Sequence, residues 1–287
     1  MSIVDWDIAR RCSPQFVRAA QVPKDIPHGF VSTITPCLGQ EVHALESTSA
    51  HADLPEFQKH NALTLPIVMI HGAVATRRYL MPTAKLLTKY GRVLVPELPG
   101  HGASSRPHHA LCVKEEAEIL YHWFRLNGLK QAHIFANSYG CQVATQLVVQ
   151  HPDIVDRLIL TGPTCDPRAR SYVKQAFRLY VDGFCEPKGG KSQLMDDLHD
   201  MSLKIAYETV GCMINDDIRA RLSNVACPTL VLRGGKDPLS PRDWAMEVAR
   251  RIKTAKYAEI PFGPHCVNYA TPIELTEMMI SFIKHQQ

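Results

Sequence analysis

From about residue 62 onward, short apolar runs rich in β-branched side chains alternate with longer stretches of helical composition. This alternation constrains the fold most. A short apolar run bounded by turn formers is buried on both faces, and a sheet buried on both faces needs helices on each side. The runs are Leu65–Ile70, Arg92–Pro96, Ala132–Ala136, Val155–Leu160, Pro228–Arg233 and Lys256–Ile260. Between them, Arg78–Tyr90, Lys114–Asn127, Tyr139–Gln150, Arg242–Arg251 and Pro272–Lys284 are helical by composition or spacing, with Gly91 and Gly128 ending two of those helices. The expected class is α/β, a mostly parallel sheet flanked by helices.

Two regions depart from the alternation. GFVSTITPCLGQEVHALES reads as a hairpin turning at Leu38 to Gln40, an antiparallel pair at the sheet edge. Between Gly162 and Pro228 more than sixty residues carry neither a strand signal nor a repeat. Tyr172, Ala176, Tyr180 and Phe184 recur there at i, i+4 spacing, which gives an amphipathic helix. Two readings fit this insertion: a lid over a site, or a helical packing layer. The expected organisation is an N-terminal segment over 1–27, a core over 28–162 and 228–287, and the helical insertion, taken as a lid, over 163–227.

Composition excludes several classes. A chain of 287 residues with 45% hydrophobic and 21% charged side chains can bury a large core and is neither disordered nor fibrous. Its strongest apolar stretch, LPIVMI, is far below the roughly 18 residues a membrane span needs. The net charge of +4 is mild and its Lys and Arg are dispersed, so a nucleic-acid partner is not expected. The nine cysteines are odd in number and include no C-x-x-C pair, and MSIVDWDIARRC lacks the apolar core of a signal peptide. The expected location is the cytoplasm. His101, His108 and His109 have no cysteine or carboxylate at metal-ligand spacing and read as a solvated loop.

The candidate chemistry centres on FANSYGCQVATQL, where Ser138 stands between a strand and a helix with small residues, Ala136 and Gly140, two positions to either side. A serine there is either a helix cap or a nucleophile. So tight a turn admits only small flanking residues, and it would hold Ser138 in a strained conformation with its hydroxyl near a helix N-terminus. A serine nucleophile needs a base, and the base an orienting acid. Downstream, GGKDPLSP places Asp237 after one strand and PFGPHCVNYATP places His265 after the next. Parallel strands present their C-terminal ends on one side, so all three residues emerge at one sheet edge.

With that order, Ser138, Asp237 and His265, the chain resembles the α/β-hydrolase superfamily. MIHGAVAT resembles the family's His-Gly oxyanion loop, and ELPGHGASS resembles its Asp-x-x-Gly-x-Gly-x-Ser loop, with Glu97 in place of Asp. Ala136 and Cys141 stand where the family has glycine. The resemblance implies that His265 is the base, Asp237 its orienting acid, and the backbone N–H groups of Ala73 and Tyr139 the oxyanion hole. No cofactor or metal is called for. His71 and His101 read as hydrogen-bonded structure. Arg168 and Arg170 are candidates for a clamp on a substrate carboxylate, or for a solvated helix face. Tyr172, Phe177, Tyr180 and Phe184 could line an acyl pocket, and packing explains their spacing equally well.

The implied activity is hydrolysis of a carboxylic ester, lactone or thioester of a mid-sized hydrophobic substrate. Asn137 before the serine resembles the Asn-Ser pair of hydrolases that cut a carbon–carbon bond in ring-cleavage diketones, but Cys266 stands where those enzymes carry Trp. A ligand-binding receptor on a hydrolase scaffold is the alternative of another class.

Overall fold

The computed structural model describes residues 15–48 and 62–284. Cys12 and the first fourteen residues of the expected N-terminal segment lie outside the described residues. Among the described residues ten strands occur: β1 (Phe16–Arg18), β2 (Phe30–Cys37), β3 (Gln40–Ser47), β4 (Ile67–Ile70), β5 (Val93–Pro96), β6 (Arg106–Pro107), β7 (Ala132–Asn137), β8 (Val155–Thr161), β9 (Thr229–Gly234) and β10 (Ala255–Ile260). Eight of them form one sheet in the order β10-β9-β8-β7-β4-β5-β3-β2. Its six strands from β4 to β10 pair in parallel, while β3 and β2 add antiparallel at one edge. Leu38 and Gly39 both have positive φ at the β2–β3 turn, the twist a two-residue hairpin demands.

The helices are α1 (Met81–Leu87), α2 (Val113–Leu126), α3 (Gly140–Gln150), α4 (Tyr172–Asp182), α5 (Lys188–Asp200), α6 (Leu203–Asn215), α7 (Arg219–Leu222), α8 (Arg242–Arg251), α9 (Val267–Ala270) and α10 (Pro272–Lys284). The sheet is apolar on both faces because neighbouring strand residues point oppositely. Ile134 and Ala136 of β7 pack with Trp123, Val143 and Leu147, while Phe135 between them packs with Leu80, Ala84 and Met279 on the other face. α2 shows the matching helical pattern, burying Val113, Ala117, Leu120, Trp123 and Phe124 along one stripe. Gly128 ends it in the left-handed conformation, so that Leu129 N–H reaches back to Phe124 O at 3.1 Å.

One expectation needs correction. The helix expected over Arg78–Tyr90 begins as a 3-10 turn at Arg77–Leu80, its α part opens at Met81 because Pro82 can enter only a first turn, and it stops at Leu87, short of Gly91. The antiparallel pair of β1 with β6 had no counterpart in the sequence pattern. No described helix is long and apolar enough to cross a membrane.

The chain leaves β4 for β5 on one side and returns to β7 on the other, so the order reverses at β4. A crevice opens beyond the C-terminal ends of the strands at such a reversal. The turns after β4, β7, β9 and β10 all line it, and α4, α5 and α6 contribute lining residues from across it.

Candidate active site

Ser138 follows β7 directly, with φ of 58°, a left-handed conformation that a non-glycine residue adopts at a cost of about 1 kcal/mol or more. The structure holds it there from both sides: Ser138 N–H donates to Thr161 O at 2.9 Å, and Cys141 N–H donates to Ser138 O at 3.0 Å. A methyl group at Gly140 would lie 2.5 Å from His71 O and 2.9 Å from Ile70 O, so the glycine is required for α3 to start against β4. Cys141 is buried against Ala136 O and Thr161 O, and burial pushes its thiol far up, so it stays neutral.

Asp237 and His265 are brought together by two loops in backbone contact. Gly234 abuts the carbonyls of Gly263 and Pro264 with no room for a side chain, and Lys236 N–H donates to Gly263 O at 2.8 Å. Asp237 Oδ1 accepts from the N–H groups of Leu239 and Ser240 at 2.8 and 2.9 Å. Its other oxygen, Oδ2, lies 2.8 Å from His265 Nδ1. The ring nitrogen Nε2 is buried and has no hydrogen-bond partner among the described residues. Burial alone would lower the imidazole, but the charge of Asp237 and its hydrogen bond, with Asp182 and Glu186 behind, raise His265 to about 9.

Gly72 sits on Ser138: a Cβ there would fall 3.0 Å from the serine Cβ and 3.4 Å from its Oγ. Its N–H donates to Tyr79 OH at 2.7 Å, and that hydroxyl donates to Asn137 Oδ1 at 2.9 Å. Asn137 Nδ2 donates in turn to Thr161 O at 3.1 Å and, more weakly, to His265 O at 3.4 Å. Asn137 therefore knits four turns together behind the serine. The next N–H along, that of Ala73, and the N–H of Tyr139 make no hydrogen bond within the described residues. Val74 beyond it is also left-handed, at φ 54°.

Ser138 and His265 share a cavity of about 610 Å³. Its floor includes Gly72, Ala73 and Asn137, and its far wall includes Tyr172, Leu179 and Met213. Among the described residues that line it there is no lysine or arginine.

A family model of the alpha/beta hydrolase fold matches residues 66–192. That match and the sheet order identify an α/β-hydrolase fold. The chain is a hydrolase of that fold, and what it hydrolyses is a separate question. Among curated proteins, this hydrolase is 23% identical to the (E)-2-((N-methylformamido)methylene)succinate hydrolase of Acinetobacter baylyi over 244 residues, 76% of this chain and 90% of that one. It is 34% identical to the 2-hydroxymuconate semialdehyde hydrolase of a Pseudomonas strain over 114 residues, 34% of this chain and 36% of that one. Among solved structures, the enol-lactonase of Burkholderia xenovorans superposes with a TM-score of 0.71 at 19% identity, covering 88% of this chain and 99% of that one.

The other residues singled out in this hydrolase fall in different places. His71 is buried, its Nδ1 2.8 Å from Gly72 O and its Nε2 accepting from Leu98 N–H at 2.9 Å. His101 is buried nearby, with burial pushing it down to about 3, and the neutral ring packs against His71. Glu97 accepts from Arg77 and from Ala103 N–H and meets His43 at 2.8 Å, which ties down its loop. Among the described residues no cluster of three His, Cys, Asp or Glu side chains is placed to hold a metal.

Tyr172 lines the cavity, stacked on Tyr207 at 4.6 Å. Phe177 does not: it is 66% exposed on the outer side of α4, and Tyr180 and Phe184 are exposed with it. The i, i+4 row drifts about 40° around a helix at each step, so it leaves the inner face after Ala176. Gln175, Leu179 and Asp182 complete that face instead. Arg168 is likewise outside the cavity, paired with Asp166 and Asp243, while Arg170 donates to Ile214 O and Asn215 O. Both arginines are committed to anchoring the insertion.

Three further residues at the site were not singled out from the sequence. Gly162, left-handed at φ 55°, leaves space where a Cβ would stand 3.0 Å from Asp237 Oδ2 and His265 Nδ1. Asp182 and Glu186 accept from the backbone of the histidine loop, a contact between segments some eighty residues apart. A glycine closing a strand before a proline was the one available hint, for Gly162 alone.

Proposed function

We propose that this hydrolase cleaves a carboxylic ester, lactone or thioester of a mid-sized, uncharged hydrophobic substrate through an acyl-enzyme on Ser138. One observation carries the reading: a left-handed serine and a carboxylate-bound histidine with a free inner nitrogen open into one cavity. As Ser138 Oγ bonds to the carbonyl carbon, His265 Nε2 takes the hydroxyl proton, while Asp237 holds the ring in the Nδ1–H tautomer. The electron pair displaced onto the carbonyl oxygen meets the N–H groups of Ala73 and Tyr139, each contributing about 3 kcal/mol. Collapse expels the alcohol or thiol, which leaves with the proton from His265. Water, deprotonated by His265, then attacks the acyl carbon and releases the acid and Ser138.

Residues 163–227 act as a lid in this reading, since their helices supply much of the apolar wall. The cytoplasm is the assigned location, supported by an odd count of nine cysteines and by free thiols at eight described positions.

Carbon–carbon cleavage of a ring-cleavage diketone is the second reading, favoured by the stretch similar to the semialdehyde hydrolase. Among the described residues the lining has no lysine or arginine to offer an anionic diketone. Purified protein given p-nitrophenyl butyrate and such a diketone side by side tests the order. The ester is expected to be the better substrate in kcat/KM, and a clear preference for the diketone would reverse it.

A further inference from the structure

The insertion reaches past the cavity wall to the loop of the histidine itself. His265 N–H donates to Asp182 Oδ1 at 3.0 Å, and the next amide, Cys266 N–H, donates to Glu186 Oε1 at 2.7 Å. Two successive amides of one loop are thus held by two carboxylates four positions apart, from the end of α4 and the turn after it. Asp182 is buried, and the second oxygen of Glu186 is buried with no hydrogen bond among the described residues.

Neither carboxylate pairs with a described lysine or arginine. Buried carboxylates without a guanidinium or ammonium beside them are costly unless some other cation faces them. The group in place to do so is the imidazolium of His265. Resting on the reading of His265 as the base, we propose that Asp182 and Glu186 are its positioning residues: they fix its loop through the backbone amides and hold negative charge against its ring.

The groups facing His265 come from each surrounding element. Asp237 approaches from the loop after β9, Asp182 and Glu186 from the insertion, the Cys266 thiol from its own loop, and uncharged Gly162 and Ser138 from the turns after β8 and β7. Burial, with Glu186 and Asp182 beside it, pushes the Cys266 thiol far up, so it adds no charge. Burial pushes Asp182 up to about 7 even against the opposing pull of His265. Protonating Asp182 removes one of the three charges that favour the imidazolium. Displacing α4 removes two of them, together with both acceptors, so the strength of the base depends on where the insertion sits.

The test uses the full chain with Asp182→Asn, Glu186→Gln, the double variant and Asp182→Ala. The amide variants keep a carbonyl oxygen for the backbone N–H and lose only the charge. The ring titration of His265 is followed by nitrogen NMR, with the signal assigned by its loss in His265→Gln. Each single amide variant is expected to lower the midpoint by about one pH unit, and the acid limb of Ser138 labelling by a fluorophosphonate should move by the same amount, about ten-fold faster labelling below it. Asp182→Ala is expected to label more slowly than Asp182→Asn at every pH, because it also frees the loop. An unchanged midpoint in the folded double variant overturns the proposal. Absence of labelling in the wild type would refute the serine-hydrolase reading instead, and the NMR midpoint would still decide the positioning role.

Discussion

His265 meets Asp237 through Nδ1 and Oδ2 at 2.8 Å, while the second oxygen of that carboxylate is held by two backbone amides of its own loop. The carboxylate cannot rotate away without losing those amides, so the ring is fixed in one tautomer with Nε2 facing the cavity. Asp237→Asn should preserve the fold but lose that tautomer control. The expected result is a fall of about 10⁴-fold in kcat/KM on a neutral ester, measured with circular dichroism as the control for folding.

The same pair sets the pH dependence. Burial opposes the charged ring, but Asp237 and its neighbours raise His265 to about 9, and a base must be neutral to take the serine proton. In the ligand-free enzyme kcat/KM should therefore rise with pH, reach half its plateau near 9, the value for His265, and level off only above it. Because the folded value exceeds the usual 6.5, the pair's contribution to stability is complete below 6.5 and is lost as pH rises through about 9. Chemical denaturation at several pH values checks the second statement, and the pH–rate profile checks the first.

Gly162 has a left-handed backbone and stands where any Cβ would crowd both Asp237 and His265. Gly162→Ala is expected to destabilise the protein by about 1–2 kcal/mol, and to reduce kcat by more than ten-fold in the protein that remains folded, since the ring must shift. A urea titration beside the rate assay separates the two effects.

Within α4 the inner and outer faces should respond differently. Tyr172→Ala removes an aromatic wall of the cavity and should raise KM for a hydrophobic ester by about ten-fold, the equivalent of about 1.4 kcal/mol. Phe177→Ala, on the outer face, should leave KM within about two-fold, as expected for a residue that does not touch the substrate. Steady-state kinetics of the two variants decides the matter.

Much of this arrangement was legible in the residues. The apolar runs place β4, β7, β8 and β9 within two residues, because short stretches bounded by proline, glycine or charge have few alternatives. α8 and α10 run over the expected residues, with Pro241 just before the first and Pro272 opening the second. The meeting of Ser138, Asp237 and His265 could be anticipated because each follows a strand in the parallel sheet, and that topology carries them to one edge. What escaped depends on contacts without local pattern. Strand β6 is two residues long and has no periodicity to detect. The inner face of α4 follows the true helical pitch and not the simple i, i+4 row. Asp182 and Glu186 read as ordinary acidic residues until the fold sets them against amides of a distant loop.

The most direct measurement is intact-mass and peptide analysis of the protein after reaction with a fluorophosphonate at pH 9. The account predicts a single adduct on Ser138, abolished in Ser138→Ala and strongly slowed in His265→Gln. A folded wild-type protein that takes no adduct, or takes it on another residue, would contradict it.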